Sequence, residues 1–364
     1  MKKVLLLANR DFVLYNFRFE LIERLIKEQY DVYICLPYGP KVDIMKNAGA
    51  KFIPIEVEGR GTNPFKDFRL IKRLNQIFKK ITPDVILMYT TKTDIYGGIV
   101  AAHRKIPYIE NISGLGTAVE QKSKIEGLVI ALYRKAVSKA SCVFFQNKEN
   151  EQFFKKHNIQ VRKERLIPGS GVNLEKWKYL PYPSDENGVH FLFIARVIKE
   201  KGIEQYLKTA KEIKKRHPNT YFHILGPCDG DYNEILKKYQ ENGIIMYHGM
   251  VQDTAEYLKT AHCTIHPSFY PEGISNVLLE SAASGRPVIT TDREGCRDTV
   301  NDGESGYIVP QRDTGNLIKA VERFLSLSNK EREKMGIAGR RKMEQEFNRK
   351  IVVDAYMEEV EDII

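Results

Sequence analysis

Short apolar runs alternate with longer charged segments along the whole chain. Aliphatic or β-branched runs recur at Val4–Leu7, Val32–Leu36, Phe52–Ile55, Val85–Met88, Tyr108–Ile112 and Val143–Gln146. Between them, Asn16–Glu28, Pro64–Lys80, Thr93–His103, Ser123–Lys139 and Lys148–His157 carry apolar residues at helical spacing among charges. A short run that is apolar at every position fits a strand buried on both faces, and a helix after each one predicts parallel βαβ units in a doubly wound sheet. The alternation pauses at Lys178–Gly188, KYLPYPSDENG, where prolines, acids and a glycine have the composition of a linker. It resumes at His190–Ala195, Tyr221–Leu225 and Ile244–Tyr247. The expected fold class is therefore α/β. The expected organisation is one Rossmann-like domain over residues 1–180, a second over 181–346, and a closing helix over 347–364.

On such sheets ligands sit beyond the carboxyl ends of the strands. The first of these loops, Ala8–Tyr15, lacks the G-x-G-x-x-G fingerprint, which argues against a nicotinamide or flavin enzyme. Tyr15, Asn16 and Arg18 follow it as polar groups at a helix start. They are acceptor-side candidates, and a cap formed by Asn16 is the plainer alternative. Lys92 lies in the polar loop after the fourth strand, and Ser113 lies in the glycine-containing loop Ser113–Thr117 after the fifth. Ser113 cannot act as a base at neutral pH; Glu110 is a nearby substitute or a structural residue.

In the second half, Arg196 stands just past a strand and Gly202 opens a helix, with Lys201 between them. That is a place suited to binding an anion. Further on, PSFYPEGISNVLLESAASG spans Pro267–Gly285. Glu272 lies in its loop beside Pro271 and Gly273. Glu280 lies on a short apolar helix for which Ser275 is the expected N-cap. Backbone amides from Ile274 to Val277 favour an anion, and the two carboxylates are suited to accept from hydroxyl groups on either side of it. Asp229-Gly230-Asp231 has the spacing of a metal-binding D-x-D, but it is also ordinary turn chemistry and is taken as a turn.

Hydrophobic content of 42% and charged content of 29% fit a globular chain. No apolar run approaches the roughly 20 residues of a membrane span, and the opening MKKVLLLANRDF is too short for a signal peptide. Five scattered cysteines point to a reducing compartment rather than a disulfide or metal frame. The net charge is +10, with 32 Lys+Arg against 18 Asp+Glu up to Leu180 and 25 against 29 beyond it. The basic half implies an anionic partner: nucleic acid, an anionic membrane or a diphosphate-bearing lipid. Lys66–Lys80 and Lys122–Lys139 pair apolar stripes with cations, which suits packing on the sheet with solvated charge, or contact with anionic lipid.

EGISNVLLE followed by SAASGRPVITT resembles the donor-binding signature of family 4 of the retaining glycosyltransferases. The resemblance extends to Gly295-Cys296-Arg297-Asp298 and Asn301-Asp302-Gly303, and back to Ala195–Gly202. It implies the GT-B fold, two Rossmann-like domains with parallel sheets facing an interdomain cleft, with the last helix crossing back to the first domain. It also implies roles for individual residues. Arg196 and Lys201 would neutralise a donor diphosphate that is held by Gly273, Ile274, Ser275 and Asn276. Glu272 would orient the donor sugar, Glu280 would accept from the ribose, and backbone near Val251 would meet the base. The implied reaction moves a sugar from a UDP-sugar of the GalNAc, Gal or Glc type to a saccharide acceptor, with retention of configuration. The expected acceptor is linked to a polyprenyl diphosphate, as in capsule or O-antigen assembly. No cofactor, metal or nucleic acid is expected, and the expected location is cytoplasmic, peripheral on the inner membrane face. One alternative is an NDP-sugar epimerase, which needs open acid–base side chains. Another is a nucleic-acid-binding protein, for which no motif is present.

Overall fold

Among the described residues, thirteen strands carry the alternation into two parallel sheets. The computed structural model describes residues 1–57, 63–115, 119, 125–228, 230–271 and 273–364. The chain divides into Met1–Ser170 with Lys350–Ile364, and Gly171–Arg349.

The first unit runs β1 (Lys3–Leu7), α1 (Asp11–Lys27), β2 (Asp31–Leu36), α2 (Val42–Asn47), β3 (Lys51–Pro54), α3 (Pro64–Ile81) and β4 (Val85–Tyr89). It continues with α4 (Thr91–Arg104), β5 (Tyr108–Ile112), α5 (Glu126–Val137), β6 (Cys142–Phe145), α6 (Lys148–Lys156) and β7 (Glu164–Leu166). Strand order is β3-β2-β1-β4-β5-β6-β7, all parallel. Helices bury both faces. Leu70, Leu74, Ile77 and Phe78 of α3 pack with Leu5, Leu7, Ile86 and Met88 on one side. Leu14, Leu21 and Leu25 of α1 pack on the other with Val352, Ala355, Tyr356 and Val360 from near the C-terminus.

Local sequence fixes the ends of α3. The Asn63 side chain accepts from the amides of Phe65 and Lys66, Pro64 takes the first turn, and Thr82 closes the helix in a left-handed conformation. Its apolar stripe faces the core, so the packing reading of that basic segment holds. Helix α1 begins at Asp11, earlier than the sequence suggested. The Asp11 carboxylate accepts from the amides of Phe12 at 2.8 Å and Lys41 at 2.9 Å. Asn16 therefore lies inside the helix and does not cap it.

The second unit runs β8 (Val189–Ile194), α7 (Ile203–Arg216), β9 (Thr220–Leu225), α8 (Asn233–Glu241), β10 (Met246–Tyr247), α9 (Ala255–Thr260) and β11 (Cys263–His266). It continues with α10 (Asn276–Ala283), β12 (Val288–Thr291), β13 (Gly306–Val309), α11 (Thr314–Leu325) and α12 (Asn329–Glu346). The last helix, α13 (Arg349–Ile363), belongs to the first unit from Lys350 onward. Strand order in the second sheet is β10-β9-β8-β11-β12-β13, again parallel.

Lys178–Gly188 has linker composition but is bound to the second unit. The guanidinium of Arg286, fully buried, donates to the carbonyls of Leu180 (3.1 Å), Pro181 (2.9 Å) and Leu258 (2.7 Å). Tyr182 donates to the His262 carbonyl at 2.8 Å. The chain divides earlier, at Ser170/Gly171, because Val172 already bonds Phe347 and Arg349 through its backbone.

Candidate donor site

In the second sheet, β8 and β11 are central neighbours from which the chain winds outward in opposite directions. The loops beyond their carboxyl ends border the switch-point crevice. These are the loops that carry Arg196, Lys201 and the Pro267–Gly285 stretch.

Close backbone approach holds the loops together. Gly202, at φ +77°, starts α7 against Pro267, and a Cβ there would lie 2.1 Å from the Pro267 carbonyl oxygen. Only glycine fits, both for space and for its left-handed conformation. The Phe269 amide donates to the Glu200 carbonyl at 2.9 Å. Gly226 packs on the Ala195 carbonyl in the same way, where a Cβ would lie at 1.9 Å. Fastened like this, the two cations gather on one ring: Lys201 Nζ lies 4.9 Å and Arg196 Cζ 5.8 Å from the centroid of Tyr270. Sequence reasoning passed over Tyr270. An aromatic in a loop is unremarkable until the fold brings both cations to its face.

Ser275 stands at the N-cap position of α10, as expected, but its hydroxyl does not cap. It pairs with His266 Nε2 at 3.3 Å, while its amide donates to the Gly295 carbonyl at 2.9 Å. The first bonds back to the Ser275 carbonyl come from Leu278 and Leu279. The amides of Asn276 and Val277 precede them, at the positive end of the helix dipole. Gly273 and Ile274 are buried, and Ile274 shares an apolar cluster with Val251, Leu225 and Leu258. Glu272 lies outside the described residues, as does Asp229 of the Asp-Gly-Asp turn.

Glu280 is four residues beyond Asn276, on the same face of α10. Burial pushes its carboxyl up to about 7, against an opposing pull from Lys176 and Arg349. Near neutral pH it is poised between a hydrogen-bonding acid and an accepting carboxylate.

The first-unit candidates do not form a comparable cluster. Tyr15 is half-buried, with Lys41 Nζ 4.7 Å above its ring, and Asn16 is exposed on α1. Lys92 is ion-paired with Asp67 at 2.9 Å. Ser113 is half-buried just past β5, and Gly116 and Thr117 of its loop lie outside the described residues. Two candidates are corrected. Arg18 is 3% exposed, packed between the rings of Tyr89 and Tyr356 at 4.9 and 5.5 Å, so it braces the core and cannot meet an acceptor.

Glu110 is the second correction. It is completely buried, its two carboxyl oxygens have no hydrogen-bond partner among the described residues, and Gly98 packs directly on it. Burial raises its pKa well above the ordinary value. The same holds for Asp94, which is also buried and close enough to Glu110 that ionising one would further oppose ionising the other. A carboxyl sealed in this way is neutral and has no route to substrate. Unfolding lets it ionise, so its contribution to stability is present at acid pH and is lost as pH climbs above the unfolded value of about 4.3, by about 1.4 kcal/mol per pH unit. Glu110→Gln, neutral at every pH, should gain stability relative to the parent as pH rises from 5 to 8. Urea unfolding at the two pH values measures the difference. An equal loss at both would show that the carboxyl is held ionised.

The fold is thus two parallel-sheet units, with two cations and an aromatic ring gathered at the switch point of the second. The chain matches the family description "Glycosyl transferase 4-like" over residues 3–147 and "Glycosyl transferases group 1" over residues 181–342. It belongs to the family 4 type of glycosyltransferases, and it is an enzyme of that class. It is similar to the N,N'-diacetylbacillosaminyl-diphospho-undecaprenol alpha-1,3-N-acetylgalactosaminyltransferase of Campylobacter jejuni, 24% identical over 86% of each chain. It is also similar to the capsular polysaccharide biosynthesis glycosyltransferase CapM of Staphylococcus aureus, 25% identical over 91% of this chain and 90% of the other. Among solved structures, Anabaena HepE in complex with UDP matches with a TM-score of 0.79 over 100% of both chains at 13% identity, and the shared fold is GT-B.

Proposed function

We propose that the enzyme transfers a hexose-type sugar from a UDP-sugar, with retention of configuration, to a saccharide carried on a polyprenyl diphosphate in cell-surface polysaccharide assembly. The observation that carries this reading is the gathering of Arg196 and Lys201 over Tyr270, a residue of the loop that leads into α10. Two cations and a helix dipole suit a diphosphate whose charge grows as the glycosidic bond breaks. The Campylobacter relative is named for an acceptor on diphospho-undecaprenol, and the Anabaena neighbour holds UDP.

In this reading Arg196 and Lys201 stabilise the leaving diphosphate, Asn276 and its neighbours donate amides to it, and Glu280 accepts from the ribose hydroxyls. Glu272 orients the donor sugar, and Val251 and Ile274 border the base. The leaving diphosphate helps take the acceptor's proton, so no protein nucleophile is required. Neither a metal nor a cofactor is assigned a role. The basic first unit would meet the lipid-borne acceptor at the inner face of the cytoplasmic membrane. An epimerase would need acid–base groups open to substrate, and the Asp94–Glu110 pair is sealed in the core.

The test is thermal unfolding with excess UDP, GDP, ADP or NAD, on the parent and on Glu280→Ala. A rise of the midpoint with UDP alone, lost in the variant, is expected from mass action. A rise with NAD would overturn the reading.

The state of Glu280 adds a pH signature. Ribose hydroxyls need the ionised carboxylate, and with a pKa of about 7 roughly a tenth of it is ionised at pH 6. UDP-glucose, whose own phosphates do not titrate there, should bind about tenfold more weakly at pH 6 than at pH 8. Glu280→Gln should bind weakly and flatly across that range. Calorimetric titration at both pH values checks it, and a flat profile in the parent would remove Glu280 from the ribose.

A further inference from the structure

A cavity of about 810 Å³ opens in the first unit beyond the carboxyl ends of β2 and β3, between Tyr38, Ile55 and the first turns of α3. Among the described residues, four cations line it, Lys66, Arg69, Arg73 and Lys92, against two acids, Glu56 and Asp67. Asp67 is occupied by Lys92 at 2.9 Å and by the Tyr96 hydroxyl at 2.8 Å. Arg69 and Arg73 are exposed and make no hydrogen bond or ion pair with another described residue. Four positions apart on one helix, they share a face and both line the cavity, and each guanidinium is able to fork two phosphate oxygens. Next to this basic flank, Phe65 and Phe68 stand out into solvent, 81% and 68% exposed. Large apolar side chains left uncovered beside cations suit a boundary where a charged head meets hydrocarbon.

We propose that this cavity is the subsite for the diphosphate of the lipid-linked acceptor, with Arg69 and Arg73 as its anion-binding pair and Phe65 and Phe68 beside the hydrocarbon chain. This rests on the reading of a lipid-linked acceptor given above. Glu56, lining the same cavity, accepts from a hydroxyl of the attached saccharide. Lys92 is held by Asp67, whose other oxygen accepts from Tyr96, as a fixed third charge. The apolar stripe of α3 stays in the core, so the outward half of the helix is free to serve the ligand.

Titration calorimetry on the full chain tests it, with farnesyl diphosphate and inorganic pyrophosphate as probes, and phosphatidylcholine vesicles with and without phosphatidylglycerol beside them. Arg69→Gln/Arg73→Gln should weaken farnesyl diphosphate at least tenfold, while Phe65→Ser/Phe68→Ser weakens farnesyl diphosphate but not pyrophosphate. The midpoint rise with UDP should be unchanged in both, which shows that the fold and the donor half are intact. Unaltered farnesyl diphosphate binding in the arginine variant overturns the proposal. So does loss of binding to anionic vesicles alone, which would make this face a lipid-headgroup surface. Absence of the UDP effect in the parent would instead count against the transferase reading of the donor site, whatever the arginines do.

Discussion

Lys201→Ala and Arg196→Ala should each lower kcat/KM for transfer from the UDP-sugar donor by about a thousandfold, with little change in thermal midpoint. The size follows from what each cation does. Charge develops on the diphosphate as the donor bond breaks, and a preorganised donor aimed at that charge contributes about 10² to 10³ in rate, an arginine more. The small effect on folding follows from their place. Both side chains are half-buried at the ends of loops, and neither belongs to an apolar cluster. Arg196→Lys should recover only part of the loss, because a point charge cannot fork two oxygens. The double variant should fall short of the product of the single losses, since both groups act on one leaving group. Steady-state kinetics with the donor varied separates the cases. A loss below tenfold at either position would place the diphosphate elsewhere.

Arg286→Met should destabilise the second unit by about 4 kcal/mol, lowering its unfolding midpoint by roughly 10 °C. The guanidinium is fully buried and reaches five carbonyls, those of Leu180, Pro181, Leu258, Lys259 and Gly285. Burial brings its pKa down to about 10, still high enough to keep it charged at neutral pH. Methionine fills much of the volume but leaves those carbonyls without a donor, and an unsatisfied buried carbonyl costs about 1–3 kcal/mol. Arg286→Lys keeps the charge with fewer donors and should fall between the two. Calorimetric scanning measures the shift, and limited proteolysis near Leu180 should reveal the released strap. A methionine variant as stable as the parent would mean that water replaces the guanidinium.

The alternation of apolar runs with charged helices was enough for two parallel sheets, because a strand buried on both faces has to be apolar at every position. It was also enough to single out the loops of the candidate donor site, since ligands on such sheets lie beyond strand ends, and Gly202, Arg196 and Lys201 sit at one. Pairing Glu272 with Glu280 depended on motif resemblance more than on periodicity.

Other features depended on contacts between segments distant in sequence. Tyr270 became part of the site only when β8 and β11 lay side by side. Ser275 gave up its capping bond for His266, a residue it meets only in the folded sheet. Glu110 and Arg18 have the polarity of functional residues, and it was packing by Gly98, Tyr89 and Tyr356 that put them in the core. The proline-rich segment after Lys178 has the composition of a linker, yet it is fastened by an arginine more than a hundred positions away. Sequence by itself determined the alternation of strands and helices, the two-sheet class and which loops are candidates for binding an anion, because those follow from local pattern and short-range chemistry. Tertiary structure alone decided which polar side chains are open and which are sealed, because burial depends on neighbours that the chain brings together only on folding.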